Sequence, residues 1–254
     1  MLAIISPAKT LDNTPKKTET FTLPKLLPQT KTLVTIMKKE KPSDLMKLMD
    51  ISEKLAILNY QRYKQFSPEY TQENSNAALF TFKGEVYLGL KAEELTVSDI
   101  NYAQDHLRIL SGLYGVLRPL DLMQEYRLEM GISLENKKGK NLYEFWGDKI
   151  TKLLNDDLKD INSKYLVNLA SNEYFKAVDK KKLKAKIIDI NFLEEKNGKR
   201  TFVSFNAKKA RGIMASYIIR HKCTSPEDLI QFREEGYLFD DKTSTDDAFT
   251  FVKY

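Results

Sequence analysis

Lys208, Lys209 and Arg211 fall in the opening turns of a helix that the apolar spacing predicts over residues 207–220, where the helix macrodipole is already positive. Cations in that place call for an anion. On a 3.6-residue wheel Ala210, Ile213, Met214, Tyr217 and Ile218 form the buried stripe, and Lys208, Arg211, Gly212, Ala215 and Ser216 share the opposite face. That face is basic and short of side-chain bulk, so a polyanion can approach it closely. Asn206 is the expected N-cap, and free amides at a helix start add donors for phosphate oxygens. The same lysines also read as an ordinary solvated first turn.

A second set of candidates lies near the start of the chain. The loop SPAKTLD at 6–12 follows the apolar run 2–5, the position where strand ends open into a crevice. Lys9 is placed to bind phosphate and Ser6 to donate a hydrogen bond. As a nucleophile Ser6 lacks support: no Gly-x-Ser-x-Gly elbow surrounds it, and neither His106 nor His221 lies in a segment that pairs with it. Lys83 and Tyr87 supply a further cation and a possible stacking ring.

Arg108, Arg118 and Arg127 flank a glycine-punctuated apolar segment at 110–117, with Tyr114 and Tyr126 among them. Arginine with tyrosine suits phosphates and stacked bases. It suits equally a structural network in which these arginines pair with Asp121, Glu125 and Glu129. Residues 46–56, MKLMDISEKLA, outline a helix-hairpin-helix, with Ile51 as the buried residue of the turn and Lys47 and Lys54 as flanking cations. Asp50 and Ser52 stand where glycines would let bare amides reach a phosphate, so an ordinary helical hairpin fits as well. Glu129, Glu144, Asp148 and Glu173 are magnesium-ligand candidates for a nuclease, but no spacing makes them converge.

Composition narrows the classes. With 254 residues, 42% of them hydrophobic, the chain can bury a large core, and a single domain is expected. No run approaches the roughly 18 apolar residues of a membrane span, and 2–5 is too short for a signal-peptide core, so a cytoplasmic protein without membrane contact is expected. One cysteine, Cys223, excludes an internal disulfide, and two histidines make no zinc cluster. A Glu-x-x-His pair is absent, which speaks against a di-iron bundle. No metal or other cofactor is expected.

The net charge is +6 and the isoelectric point about 9.0, at the threshold where nucleic-acid binding enters consideration. Asp240, Asp241, Asp246 and Asp247 gather in one loop, leaving the remaining surface more basic than the average. The densest basic run, Lys180, Lys181, Lys182, Lys184 and Lys186, has no interleaved aromatic and reads as a solvated turn.

These side chains must be positioned by elements that the pattern also predicts. A buried strand at 2–5 is followed by helices at 29–39, 43–49 and 53–66, the second capped by Ser43. Strands are expected at 77–82 and 85–90 about a Lys83-Gly84 turn. Thr96 with Asp99 boxes a helix reaching 110, and Asn141 with Glu144 caps one through 154. A strand at 165–170 runs into a short helix from Ser171. Strands at 186–193 and 200–205 pair across Asn197-Gly198, a strong hairpin signal. Ser225 and Pro226 open the last helix. The class expected is α+β: a mixed, mostly antiparallel curved sheet wrapped by helices, with neither a Gly-x-Gly-x-x-Gly fingerprint nor a Walker loop.

Taken together these segments resemble the YaaA peroxide stress protein family. The resemblance spans nearly the whole chain through SPAKTLD at 6–12, FKGEVY at 82–87, LSGLYGVLRPLDLM at 110–123, YRLEMG at 126–131, FWGD at 145–148, NLAS at 168–171 and AKKARG at 207–212. Glu125 departs from it, standing where the family commonly has proline, which loosens the turn before Arg127. The resemblance implies oxidative-stress defence, protection of DNA, low intracellular free iron, an unusual single-domain fold with a positively charged cleft, and duplex DNA binding without an established enzymatic activity.

The reading is therefore a monomeric, non-enzymatic protein that binds double-stranded DNA by shape, through phosphate contacts from Lys9, Lys83, Arg118, Arg127, Lys208, Lys209 and Arg211. Tyr87 and Tyr114 stack, while Ser6, Lys47, Lys54 and Arg108 complete the set. The alternative is an enzyme acting on a phosphorylated small molecule or a nucleic-acid end, using Ser6, Glu129 or Glu173. Direct iron sequestration has few and scattered ligands.

Overall fold

The structure, a computed structural model, describes residues 1–12 and 14–254. It opens on β1 (Leu2–Ile5), whose four residues are all buried. A strand without a solvent face belongs in the middle of a sheet covered on both sides. After β2 (Thr10–Leu11) come α1 (Leu27–Met37), α2 (Pro42–Met49) and α3 (Glu53–Gln65), close to the expected spans. The start of α2 differs. Its N-cap is Lys41 rather than Ser43, because Pro42 takes the first helical position and Asp44 Oδ2 accepts the Lys41 N–H at 3.0 Å.

What joins α2 and α3 is a helical hairpin. Asp50 adopts left-handed dihedrals (φ 49, ψ 59) and ends α2, and Ser52 is the N-cap of α3 with no side-chain bond. Ile51 packs half-buried on the core while Lys47 and Lys54 stay exposed.

Residues 77–90 depart most from expectation. The strands β3 (Asn76–Ala77) and β4 (Phe82–Lys83) are only two residues long, and the apolar runs form helices instead: α4 (Ala78–Thr81) and α5 (Glu85–Leu90). Short apolar runs do not separate strand from buried helix by period alone. Beyond them lie α6 (Val97–His106), β5 (Leu107–Ser111), β6 (Gly115–Leu117) and β7 (Leu122–Met123). The Thr96–Asp99 box forms as expected, Asp99 N–H donating to Thr96 Oγ1 at 3.2 Å.

The helix capped by Asn141 breaks in two. Gly147 (φ 52) ends α7 (Leu142–Trp146), and α8 (Lys149–Asp160) restarts after it. Then follow β8 (Tyr165–Leu169), α9 (Asn172–Phe175), β9 (Lys186–Lys196), β10 (Lys199–Thr201), α10 (Ser204–Arg220) and α11 (Pro226–Ile230). Two unexpected strands close the chain, β11 (Tyr237–Phe239) and β12 (Ala248–Lys253).

The main sheet runs β11-β12-β9-β8-β1-β5-β6, with β10 paired on β9. The mixed α+β class stands, but the main sheet is not mostly antiparallel as expected, because strands joined by long helical crossovers pair in parallel. Its parallel pairings, β12–β9, β9–β8, β8–β1 and β1–β5, occupy the centre. Antiparallel pairs sit at the margins as β5–β6, β11–β12 and β9–β10, and in the ribbons β2–β4 and β3–β7. Helix α10 packs against β9, β8 and β1, and α6 against β1 and β5.

Helix α10 starts earlier than expected, at Ser204, with Val203 as N-cap. Asn206 lies within the first turn, and its Nδ2 donates to Glu194 Oε1 at 2.6 Å rather than capping. Gly212, Ala215 and Ser216 are buried, not open to a polyanion. Helix α5 occupies that face. A Cβ added at Gly212 would collide with the Val86 carbonyl and lie 2.8 Å from Leu90 N, and one at Gly89 would collide with the Lys209 carbonyl and lie 2.9 Å from Ile213 N. The small residues serve a close helix crossing.

Candidate functional site

Because β1 and β8 are parallel neighbours, their C-terminal ends emerge side by side, delivering Ser6 from one and Ser171 from the other. The Ser6 hydroxyl accepts the Ser171 N–H at 2.8 Å and donates to Ser171 Oγ at 3.3 Å. Loop 6–10 lies over this edge and forms one wall of a cavity of about 300 Å³. The turn into α5 supplies Lys83 and Glu85, and α10 crosses beside it with Lys208 and Arg211. Tyr87 of α5 ties the walls together, its hydroxyl donating to the Ser6 carbonyl at 3.1 Å. Glu129, Glu173 and Tyr174 close the far side.

Folding thus gathers six of the expected residues, Ser6, Lys9, Lys83, Tyr87, Lys208 and Arg211, into one concavity. The crossing of α5 on α10 does the gathering, since Gly89 and Gly212 let the two backbones meet and so bring Lys83 and Tyr87 next to Lys208 and Arg211.

The electrostatics of the cavity are uneven. Arg211 makes no hydrogen bond or ion pair with any described residue, and burial pushes its guanidinium pKa down, the sign of a charge held away from water without a counter-ion. Lys208 is exposed and has no ion pair among the described residues. On the facing side Glu129 Oε1 is crowded: Arg127 Nη2 donates at 3.0 Å, Arg127 Nε at 3.2 Å, and Lys9 Nζ lies at 3.2 Å. Glu129 Oε2 is buried and has no hydrogen-bond partner among the described residues. Burial pushes the Tyr87, Tyr126 and Tyr174 hydroxyls well above their ordinary range, so these rings stay neutral around it.

The remaining expected contacts lie elsewhere, each for a definable reason. Arg108 is 4% exposed and satisfied by Asp157 Oδ2 at 2.6 Å and by the Gln104 and Leu107 carbonyls. Tyr114 is fully buried, its N–H and hydroxyl engaged with Ser111 and Gln124, and cannot stack on a base. Arg118 forks onto Asp121 Oδ1 at 2.8 and 3.1 Å and also donates to the Leu23 carbonyl. Arg127 holds Glu129. Lys209 turns to Glu235 at 3.1 Å. Lys47 and Lys54 sit on the α2–α3 hairpin, outside the cavity lining.

The structural-network alternative therefore describes Arg118 and Arg127, while Glu125 goes to Arg62 at 2.6 Å. Of the four carboxylates considered for magnesium, Glu144 serves the Asn141 cap and Asp148 pairs with Lys152 at 2.9 Å. Among the described residues no three His, Cys, Asp or Glu are grouped to share a metal ion.

Two features escaped the sequence reading. Ser171 shows itself only as a cap after a strand, and nothing in its spacing couples it to Ser6. Phe202 and Phe205, 59% and 60% exposed, stand at and before the start of α10, Phe205 one turn ahead of Lys208. Exposed aromatics of that size beside a cation are the visible signal. Among the described residues no helix is long and apolar enough to cross a membrane.

A model of a protein family described as peroxide stress protein YaaA matches residues 1–243. A UPF0246 protein of Marinomonas sp. (strain MWYL1) is 54% identical over 254 residues, an alignment spanning 100% of this chain and 97% of that protein.

Proposed function

Since this chain belongs to the peroxide stress protein YaaA family, we propose that it is a DNA-binding protein of the peroxide response, one that shields DNA and contributes to keeping free iron low. The observation that carries the DNA reading is Arg211 and Lys208, two cations without partners among the described residues, lining one concavity with Lys9 and Lys83. Unpaired cations in a shared cavity are available to phosphates, whereas paired ones must first give up a carboxylate. Phe202 and Phe205 take the stacking role that Tyr87 and Tyr114 cannot. Among the described residues no group of three His, Cys, Asp or Glu is placed to hold iron.

Backbone contacts release counterions, so affinity for duplex falls steeply with salt, by a log–log slope of about 0.9 per phosphate neutralised. Fluorescence anisotropy of a labelled duplex titrated at several salt concentrations is expected to show the slope reduced by about one unit in Arg211→Ala and in Lys208→Ala. Unaltered slopes in both variants would remove the proposed contacts.

Peroxide itself is not met here by thiol chemistry. Cys223 is buried, and burial pushes its pKa up to about 11, so it remains a protonated thiol while the reactive species is the thiolate. Ellman's reagent is expected to leave the folded protein unmodified over minutes and to titrate one thiol after denaturation. Rapid stoichiometric reaction of the native chain would contradict this.

A second reading is favoured by the size of the cavity: an enzyme acting on a phosphorylated small molecule or nucleic-acid end. Ser6 is a poor nucleophile for it, because among the described residues its hydroxyl is bonded only to Ser171, with no imidazole or carboxylate to take the proton. Magnesium-dependent turnover of a nucleotide panel, lost in Glu129→Gln, would establish the enzyme.

A further inference from the structure

From two groups without partners among the described residues that belong to the lining of one cavity, the Arg211 guanidinium and Glu129 through its Oε2, we infer that the cavity is a discrete site for a nucleoside 5′-monophosphate unit, taken either free or at the end of a DNA strand. This rests on the DNA reading and narrows it from strand backbone to strand terminus.

Size comes first. At about 300 Å³ the cavity stands at the lower end of the roughly 300–1,000 Å³ that small-molecule sites span. A double helix, whose major groove alone is about 12 Å wide, cannot enter it bodily and can only present backbone phosphates at its mouth. A single terminal nucleotide can.

Charge comes next. Arg211 is partly buried, with no carboxylate or carbonyl to receive its fork among the described residues. A guanidinium so placed matches phosphate oxygens in a bidentate geometry. Lys208 and Lys83 flank it, and the Ser171 hydroxyl, which already accepts from Ser6, keeps its proton to donate. A terminal phosphate with two negative charges suits three cations better than a bridging phosphodiester with one.

Glu129 supplies the selectivity. Buried polar atoms in folded proteins are nearly always bonded, and one that is not marks a missing partner. Oε1 is already neutralised by Arg127 and Lys9, so what Oε2 lacks is a hydrogen-bond donor. Inorganic phosphate held by Arg211 has only its own hydroxyl to give, whereas a nucleoside adds a sugar hydroxyl or a base amino group. The same carboxylate repels a second phosphate, so the site takes one.

Titration calorimetry with the full chain tests this, using dAMP, inorganic phosphate, and one short duplex prepared with 5′-phosphate and with 5′-hydroxyl ends. The expected result is 1:1 binding of dAMP about tenfold or more tighter than inorganic phosphate, the worth of one hydrogen bond to a buried charged group. Arg211→Ala is expected to weaken dAMP by about tenfold or more on the same ground, and Glu129→Gln to erase its advantage over inorganic phosphate. The 5′-phosphorylated duplex then outcompetes its 5′-hydroxyl twin and is displaced by dAMP. If both duplexes bind alike and dAMP displaces neither, the inference fails while backbone binding of DNA stands. If dAMP binds and neither duplex does, the DNA reading fails and the nucleotide site remains. Absence of dAMP binding at millimolar concentration overturns the inference outright.

Discussion

Replacing Gly212 with alanine is expected to destabilise the protein by about 3 kcal/mol or more, the upper end of what overpacking a tight site does. For a chain of this size that lowers the melting temperature by about 6–12 °C. The obstacle is backbone rather than a side chain able to rotate aside: the new methyl would collide with the Val86 carbonyl and lie 2.8 Å from Leu90 N. Relief requires α5 and α10 to part, and α5 carries the buried Val86, Tyr87 and Leu90. Parting them also withdraws the Tyr87 hydroxyl from the Ser6 carbonyl, so the cavity loosens with the fold. Gly89→Ala attacks the same crossing from the other side, and the double variant is expected to lose less than the sum, because one separation relieves both collisions. A Gly212→Ala protein melting within about 2 °C of the native one, under 1 kcal/mol on the same scale, would show the crossing to be yielding.

That crossing also marks where sequence reasoning stops. Many signals confined to a few neighbouring residues read correctly, although the Ser43 and Asn206 caps did not. Asn197 and Gly198 both take positive φ in the hairpin turn, as a two-residue turn demands, and Thr96 with Asp99, Asn141 with Glu144 and Ser225 with Asp228 all cap helices. Gly89 and Gly212 lie far apart in the chain and are informative only as a pair. Read singly, Gly212 becomes part of a thin, open helix face and the 85–90 run becomes a strand. The site divides on the same line. Lys9, Lys83 and the Lys208–Arg211 pair stand in three separate sequence words that the parallel β1–β8 edge and the α5–α10 crossing bring together. Arg118 and Arg127 look alike in sequence, yet each has a carboxylate two or three residues away that claims it. Strand β12 went unread because its partner β9 lies more than fifty residues earlier, and parallel pairing leaves no turn to announce it.

Removing the carboxylate of Asp157 is expected to cost about 3–5 kcal/mol, the penalty of stranding a buried charge. Its partner Arg108 has a side chain only 4% exposed, and Asp157 itself is 2% exposed. In the Asp157→Ala chain the guanidinium keeps the Gln104 and Leu107 carbonyls but has no counter-ion. Lys25, the second partner at 2.7 Å, is about one-third exposed and rehydrates with little loss. The net worth of the pair is another matter: Arg108→Met with Asp157→Leu is expected to recover most of the stability, since neither charge is then left buried. Denaturant unfolding of the single and double variants separates the two quantities. Acid gives the same group a signature. Burial alone would raise the Asp157 pKa, but the hydrogen bond and charge of Arg108, with Lys25, more than offset it and leave it below 3.8. A carboxyl whose native value is lowered adds stability that is whole above its unfolded value and disappears as the pH falls through the native one. The native chain should therefore lose this contribution below about pH 3.8, and the Met/Leu variant should lack that part of the acid transition. At a temperature where Asp157→Ala remains folded, its duplex-binding salt slope should match the native slope, because Arg108 is a buried residue of β5 outside the cavity lining. A slope steeper by about one unit would instead restore Arg108, freed of its carboxylate, to the DNA contacts.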